Sequence, residues 1–345
     1  MRYTLLDSVE QGEKLGRPIY TADGRVLLED GVVLTIGLIS RLRRMGVHAL
    51  YLQDEMLKDI DPEEVVSEAT KREAVEAISQ SMQFVQSGKK DFDMKGVSKS
   101  TNKIIEEILL NQNILVSLSD IRTSDNNLFV HATNVAVMSI IVGIKLGLKR
   151  SELRDLAIGA LFHDIGKVVP DDPNAKRGEN DHTWKGFNVL RKNHEISMSA
   201  AHVALQHHEY MDGSGTPRQV TGDKIPMHAK IVAVTNYYDN LVHPIDGSQG
   251  MHPYEAGETI LGLTNIRFDH AVVWEFLRSI AFYPTGRQVM LSTGETGAVV
   301  GQNNGLPQRP VIRVFNHSQK SKFEDFDVKE IDLGKETTVF IQKML

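Results

Sequence analysis

Cysteine is absent from this sequence of 345 residues, which excludes disulfides, thiolate zinc sites and a cysteine nucleophile. Long apolar runs are scarce as well. No stretch approaches the roughly 18 apolar residues that a membrane-spanning helix needs, and the most apolar segment, Val135 to Leu148, is interrupted by Lys145. The first residues, Met1 to Asp7, lack the apolar run of a signal peptide. Together these absences predict a soluble cytoplasmic protein with no membrane insertion.

An excess of positive charge is missing too, because 39 lysines and arginines face 45 aspartates and glutamates, for a formal net charge of -6. A basic surface supplies most of the affinity for nucleic acid. The composition therefore gives no electrostatic case for a nucleic-acid polymer as partner. A local basic pocket for a phosphorylated small molecule remains compatible with it.

The chain is long enough for two or three domains, and its hydrophobic content of 41% is ordinary for a globular protein. We expect a multidomain, mainly α fold in which small β-rich modules flank an all-helical domain. The expected divisions are a β-rich module over 1–59, a helical connector over 60–118, a helical domain over 119–285 and a second β-rich module over 286–345.

The N-terminal module is predicted from turn and periodicity signals. Asp23-Gly24 is a strong hairpin signal between two short apolar runs. Apolar residues at helical spacing predict a helix from Thr35 to Met45, and the segment from Val47 to Leu52 is expected to return as a strand.

The connector carries two helical patterns, from Pro62 to Gln86 and from Val97 to Asn111, with a break at Ser87-Gly88-Lys89-Lys90. A helical hairpin and an interdomain stalk both fit this pattern. Beyond the helical middle, short strands are predicted in the C-terminal module by segments separated by Gly, Pro and Asn, namely Val289 to Leu291, Ala298 to Val300 and Val311 to Phe315.

Most of the 13 histidines lie in the helical middle. The sharpest motif is His163-Asp164, since adjacent His and Asp on a helix can place a nitrogen and a carboxylate oxygen at one cation, and the carboxylate can bridge to a second. His207-His208 closes a predicted helix before the glycine-rich segment 212–217. Solvent-facing polar residues are the alternative reading. The combination favours a metal centre.

These motifs resemble the HD-GYP family of bacterial phosphodiesterases, over about 128 to 261. The resemblance rests on His163-Asp164-Ile165-Gly166-Lys167 followed by His207-His208-Glu209 and Asp212-Gly213-Ser214-Gly215. It implies an all-helical metal-dependent phosphohydrolase domain that holds iron or manganese ions and hydrolyses cyclic di-GMP.

The resemblance also implies a set of site residues. The implied metal ligands are His131, His163, Asp164, His182, His207, His208 and Asn236. His182 is preferred over His194 because Gly186 follows it by four residues and the histidine pair lies about 25 residues beyond it, as in the family; His202 is expected to be structural. The implied catalytic residues are Asp164 and Lys167, and the implied substrate-binding residues are Lys167, Asp212, Gly213 and Gly215. The expected cofactors are two divalent ions, iron or manganese.

The sequence departs from the family at four places. Thr216 replaces the tyrosine of the Gly-Tyr-Pro signature, and Asn236 replaces the distal aspartate, so that one ligand is neutral. Asn127 stands where members with a third metal carry a carboxylate, which argues against a trinuclear site. The basic stretch that normally follows the distal aspartate is missing from 241–247.

Two functions are compatible with these motifs and departures. The first is a metal-dependent phosphodiesterase that hydrolyses a cyclic dinucleotide, most of all cyclic di-GMP, with a metal-activated water. The alternative is a weakened sensor or scaffold that binds metal or nucleotide without efficient turnover, which Asn236, Thr216 and the missing basic stretch favour. Either form is compatible with a homodimer or a signalling partner bound through the β-modules.

Overall fold

The computed structural model describes residues 1–21, 24–88, 94–117, 120–176, 178–244, 250–315 and 328–345. Four expected features fall partly outside them: Asp23 of the hairpin turn, Lys89-Lys90 of the break, the boundary at Ser119 and residues 245–247 of the segment after the distal position. The described part of the chain is mainly helical, with ten α-helices and three small sheets. The expected fold class is confirmed.

The N-terminal module has two pairs of strands and one helix. Its elements are β1 (Arg2–Leu5), β2 (Ile19–Tyr20), β3 (Val26–Leu28), α1 (Ile36–Arg44) and β4 (Ala49–Leu52). β1 pairs antiparallel with β4, and β2 pairs antiparallel with β3. The Thr35 side chain caps α1 by accepting a hydrogen bond from the Leu38 amide at 3.2 Å. The predicted helix and returning strand are both present, each slightly shorter than expected.

The connector forms α2 (Glu68–Gln86) and α3 (Met94–Leu110). α2 starts after Ser67, whose hydroxyl accepts from the Thr70 amide, so the expected start at Pro62 is wrong: a side-chain cap, rather than a proline in the first turn, begins this helix. Both helices belong to the same hydrophobic core as the helices that follow. The connector is therefore a packed hairpin and not a stalk.

The helical middle contains seven helices, of which α4 is central and almost wholly buried. They are α4 (Asn127–Lys145), α5 (Arg150–Leu161), α6 (His182–Leu190), α7 (Met198–Gln206), α8 (Met227–Val242), α9 (Pro253–Gly262) and α10 (His270–Leu277). By length and composition α4 could span a membrane, with mean hydropathy 1.7, which corrects the expectation that no segment is long enough; 72% of that window is buried inside the protein. The expectation counted uninterrupted apolar residues, whereas α4 mixes them with buried polar ones.

The C-terminal module is a five-stranded antiparallel sheet in the order β8-β7-β6-β5-β9. Its strands are β5 (Gln288–Leu291), β6 (Thr296–Gly301), β7 (Val311–Phe315), β8 (Val328–Asp332) and β9 (Ile341–Met344). The three predicted strands are present, and the last two were not predicted. β9 returns to pair with β5, so the end of the chain completes the sheet.

The N-terminal and C-terminal modules touch each other. The Tyr3 amide donates to the Gly286 carbonyl at 3.0 Å. The Arg313 guanidinium donates hydrogen bonds to both carboxylate oxygens of Asp59, at 2.7 and 2.8 Å. The strands of the two modules remain in separate sheets apart from a single bridge between Tyr3 and Arg287. The expected boundaries after 59, 118 and 285 stay a prediction.

Candidate metal centre

His163 and Asp164 lie in a turn, which corrects the expectation that they lie on a helix. α5 ends at Leu161, and a 3₁₀ helix covers Ile165–Val168. Successive residues of an α-helix point about 100° apart, whereas this turn holds His163 Nε2 3.3 Å from Asp164 Oδ2. Leaving the helical path lets both side chains reach one centre.

A first group of ligand atoms contains His131, His163 and Asp164. His131 Nε2 lies 3.2 Å from His163 Nε2 and 3.7 Å from Asp164 Oδ2. The Nδ1 atom of His163 donates to the Ala160 carbonyl, and that of His131 donates to Asp239. In the neutral imidazoles both facing Nε2 atoms therefore carry lone pairs. Because such lone pairs repel each other, the arrangement fits a cation between them.

A second group shares Asp164 and adds His182, His207 and His208. Asp164 Oδ1 lies 3.5 Å from His182 Nε2 and 3.7 Å from His207 Nε2. His207 Nδ1 donates to the Ala204 carbonyl at 3.0 Å, which leaves the lone pair of its Nε2 towards Asp164. The two carboxylate oxygens of Asp164 thus face different groups, as a bridging ligand requires.

Three buried ligand atoms of this centre have no hydrogen-bond partner among the described residues: Asp164 Oδ1, His182 Nε2 and His207 Nε2. Buried polar atoms in folded proteins are almost always satisfied. A divalent cation would satisfy all three at once, and imidazole with carboxylate suits iron, manganese or zinc. The donor set therefore fits divalent metal.

The protonation states also suit a metal centre. Burial lowers the pKa of His208 to about 4 and holds the pKa of His207 well below its usual value. Burial alone would raise the pKa of the Asp164 carboxyl, but neighbouring His163 and Lys167 hold it well below its usual value. At neutral pH the Asp164 carboxylate is therefore ionised and the imidazoles of His207 and His208 are neutral, which are the forms that bind metal.

Two glycines bring His182 to Asp164. A Cβ on Gly166 would lie 1.8 Å from the His182 carbonyl oxygen, and a Cβ on Gly186 would lie 3.3 Å from the Gly166 amide nitrogen. Without these side chains α6 packs directly on the 3₁₀ helix, so that its first residue reaches the centre. The geometry agrees with the choice of His182 over His194, which is exposed.

His202, expected to be structural, lies outside both groups. Its ring packs against Phe187, with 5.1 Å between the ring centroids. This contact between α6 and α7 is consistent with a packing role.

Arg122 and Asp239 form a buried support that the sequence did not reveal. The Arg122 guanidinium donates to both oxygens of Asp239, at 2.5 and 3.0 Å, and Asp239 Oδ2 accepts from His131 Nδ1 at 2.5 Å. Such a carboxylate fixes the orientation and tautomer of a ligating histidine. The sequence signal that could have indicated Asp239 is its position one helical turn after Asn236.

We expect Asp239→Asn to weaken metal binding about 10–100-fold, because His131 loses the carboxylate that orients it. Metal titration of the metal-free protein measures this. Arg122→Gln is the matched control, since it breaks the same ion pair but keeps the bond to His131, and it should cost less affinity. Equal losses in the two variants would show that Asp239 acts only through general stability.

Lys167 lies beside the centre, on the 3₁₀ helix. Its Nζ donates to Asp164 Oδ2 at 2.6 Å, and about a third of its side chain (36%) is exposed. The predicted catalytic and substrate-binding roles of Lys167 require a cation near the bridging carboxylate, and this position supplies one. The roles themselves stay a prediction.

The loop from Asp212 to Pro217 is held by its own hydrogen bonds. Asp212 Oδ1 accepts from the amide and hydroxyl of Ser214, Gly213 has φ +81°, and a Cβ on Gly215 would lie 2.3 Å from the Tyr210 amide nitrogen. The Thr216-Pro217 peptide is cis. These contacts explain the loop shape, and the expected substrate contacts of Asp212, Gly213 and Gly215 stay predictions.

Glu209 anchors the far side of this loop. The side chain is buried, and its carboxylate accepts from the amides of Arg218 and Val220 at 2.6 and 3.1 Å. Because Glu209 directly follows the histidine pair, the loop is fixed relative to His207 and His208.

Asn236 and Asn127 engage other side chains. The Asn236 carbonyl accepts from Asn240 Nδ2 at 2.7 Å, one turn along α8, and the Asn127 carbonyl accepts from Arg122 at 3.3 Å. These are the side-chain hydrogen bonds of both residues within the described chain. The expected ligation by Asn236 stays a prediction.

Two family models match the chain. A KOW domain associated with HD domain matches residues 288–345, and the HD domain model matches residues 117–272, the part that holds both ligand groups. Residues 117–272 are therefore similar to an HD domain. The expected HD-type resemblance is confirmed.

Curated relatives of this chain are named phosphodiesterases. A cyclic di-GMP phosphodiesterase of Pseudomonas aeruginosa is 29% identical over 255 residues, which cover 70% of this chain and 60% of that protein. One of Thermotoga maritima is 31% identical and covers 48% of this chain and 47% of that protein. A 3'3'-cGAMP-specific phosphodiesterase of Vibrio cholerae is 32% identical and covers 32% and 23%. The chain thus spans 60% of the length of the first of these relatives and 47% of the length of the second.

Proposed function

We propose that this protein is a metal-dependent phosphodiesterase that hydrolyses a cyclic dinucleotide, with cyclic di-GMP as the leading substrate. The observation that carries the proposal is the sharing of Asp164 by two ligand groups. In the second group three buried atoms, Asp164 Oδ1, His182 Nε2 and His207 Nε2, have no hydrogen-bond partner among the described residues. The relatives named above act on cyclic di-GMP or cGAMP by their names, which supports this class of substrate. We place the activity in the cytoplasm. The sequence has no cysteine, and proteins of the reducing cytoplasm rarely depend on disulfides.

We assign two divalent ions, iron or manganese, to the two groups. His131, His163 and Asp164 would hold one, and Asp164, His182, His207 and His208 would hold the other. When bound, such ions activate water and neutralise charge on a phosphoryl group. Asp164 would contribute to both positions. Lys167 places a cation at the edge of the centre, and Asp239 orients His131.

Metal content and turnover test the proposal together. Protein purified without oxygen should contain about two divalent ions per chain and convert cyclic di-GMP to its linear dinucleotide, as followed by chromatography. A parallel assay with 3'3'-cGAMP ranks the two substrates. Protein that holds two ions and hydrolyses neither would contradict the proposal.

A sensor or scaffold is the second candidate, and Asn236 favours it. A neutral amide that is already hydrogen-bonded to Asn240 neutralises no cation charge. Thr216 in place of the signature tyrosine points in the same direction. Such a protein would bind metal or nucleotide and signal through the β-modules, alone or as a homodimer.

We expect Asn236→Asp to separate these candidates. If the neutral residue limits the enzyme, the added carboxylate should raise metal affinity and turnover at least about tenfold. Asn240→Asp, which adds the same charge one turn further along α8, is the control and should not. An Asn236→Asp variant with two ions bound and no turnover would instead place the defect in substrate binding and support the scaffold.

A further inference from the structure

A cavity of about 900 Å³ lies where the HD domain meets both β-modules. Its wall includes Arg43 and His48 from the N-terminal module, Arg122 and Lys167 from the HD domain, and Arg287 from the C-terminal module. The volume is within the range of about 300–1,000 Å³ that small-molecule sites occupy. Lys167 belongs both to this wall and to the metal centre, so the cavity adjoins that centre.

The cavity wall is richer in positive than in negative charge. Its described charged residues are Arg43, Arg122, Lys167, Arg287, Asp7 and Asp120. Both carboxylates are already paired, Asp7 with Arg43 at 2.8 Å and Asp120 with Lys71 at 2.9 Å. The remaining cations of the wall, Arg122, Lys167 and Arg287, have no carboxylate partner within the wall itself, which suits an anionic ligand.

Arg287 differs from the other cations of the wall. Arg122 is paired with Asp239 and Lys167 with Asp164. Arg287 is only 3% exposed, its Nε has no hydrogen-bond partner, and no carboxylate pairs with it among the described residues. Its guanidinium carbon lies over the Tyr3 ring, 5.7 Å from the ring centroid.

Leaving a buried guanidinium without an anion is costly. Burial also lowers the pKa of Arg287, in keeping with the missing counter-charge. A site that binds an anion during function explains why this residue is kept unpaired. Guanidinium is suited to this purpose because its fork of donors matches a phosphate group.

The described residues directly after α8 add no cation to the cavity. Val242, His243 and Pro244 line the same cavity and contribute no lysine or arginine to it. A cyclic dinucleotide has two phosphates, and only one of them is cleaved at a time. With one phosphate at the metal centre beside Lys167, the other would lie in the cavity, which Lys167 and Arg287 both line.

We propose that Arg287 binds the phosphate of the cyclic dinucleotide that is not being cleaved, so that the C-terminal module forms part of the substrate site. This inference rests on the proposed function. It makes Arg287 a determinant of specificity for dinucleotides over small diesters, because a small diester has no second phosphate to reach the cavity.

The test compares two substrates, cyclic di-GMP and bis(p-nitrophenyl) phosphate, in the full-length metal-loaded protein. Arg287→Gln should lower the ratio of kcat/KM for cyclic di-GMP to kcat/KM for the small diester at least about tenfold, mainly through KM. Arg278→Gln is the matched control, since it removes the same charge and a similar contact with Trp274, 5.9 Å from the ring centroid, outside the cavity wall. It should keep the ratio of wild type.

A binding measurement separates this inference from the proposed function. Calorimetry with a non-hydrolysable phosphorothioate analogue of cyclic di-GMP on the metal-loaded wild type and on metal-loaded Arg287→Gln should show Kd rising at least about tenfold when Arg287 is lost. Arg287→Met, with an unbranched stem, replaces Arg287→Gln if the latter does not fold. An unchanged Kd in a folded variant overturns the role of Arg287 even if wild type is active. Absence of hydrolysis in wild type, with Kd still sensitive to Arg287, refutes the proposed function alone.

Discussion

Asp164→Asn is expected to abolish metal-dependent turnover, with a loss of about 10³-fold or more. Metal ions contribute several kilocalories per mole of charge stabilisation, and each factor of ten in rate corresponds to about 1.4 kcal/mol. Asp164 is the residue common to both ligand groups, so that a neutral amide there weakens both positions at once. Metal content per chain should fall together with the rate of cyclic di-GMP hydrolysis.

Asp125→Asn is the control for this change. Asp125 is exposed beside the start of α4 and belongs to neither ligand group, so its loss should alter neither metal content nor rate. Wild-type turnover in Asp164→Asn would rule out the enzyme hypothesis, because no other described carboxylate is shared by the two groups.

Gly166→Ala should disrupt the centre without removing a ligand. The new Cβ would lie 1.8 Å from the His182 carbonyl oxygen and 2.7 Å from the Gly186 amide nitrogen. Backbone atoms cannot rotate away as a side chain can, so α6 must move and carry His182 from Asp164. We expect the free energy of unfolding to fall by about 1–3 kcal/mol or more, with metal lost from the second group.

Thermal unfolding and metal analysis measure both effects. Gly262→Ala is the matched control: it adds the same methyl group near the end of α9, where nothing lies within 4 Å of the new Cβ, and it should leave stability and metal content near those of wild type. Full metal content in Gly166→Ala would show that α6 tolerates the shift and that close packing does not position His182.

The sequence by itself predicted the helical HD domain between two β-modules and the residues that converge at its centre. Few side-chain types can bind a metal ion, and His163-Asp164 and His207-His208 are each adjacent in the chain. Both pairs can therefore be identified from the sequence alone. His182 could be chosen over His194 because Gly186 follows it, and the structure gives that glycine a physical meaning in the close contact of α6 with Gly166.

Other features depend on contacts between segments far apart in the sequence, which no local pattern encodes. Asp239 supports His131 across 108 positions, and the turn at His163 was mistaken for a helix because its apolar neighbours continue the helical pattern of α5. The cavity around Arg287 exists only because three parts of the chain meet there. Residue types and spacing determined which chemistry this protein can perform; packing of the β-modules on the HD domain decided which charges remain unpaired, since burial and pairing are properties of the assembled fold.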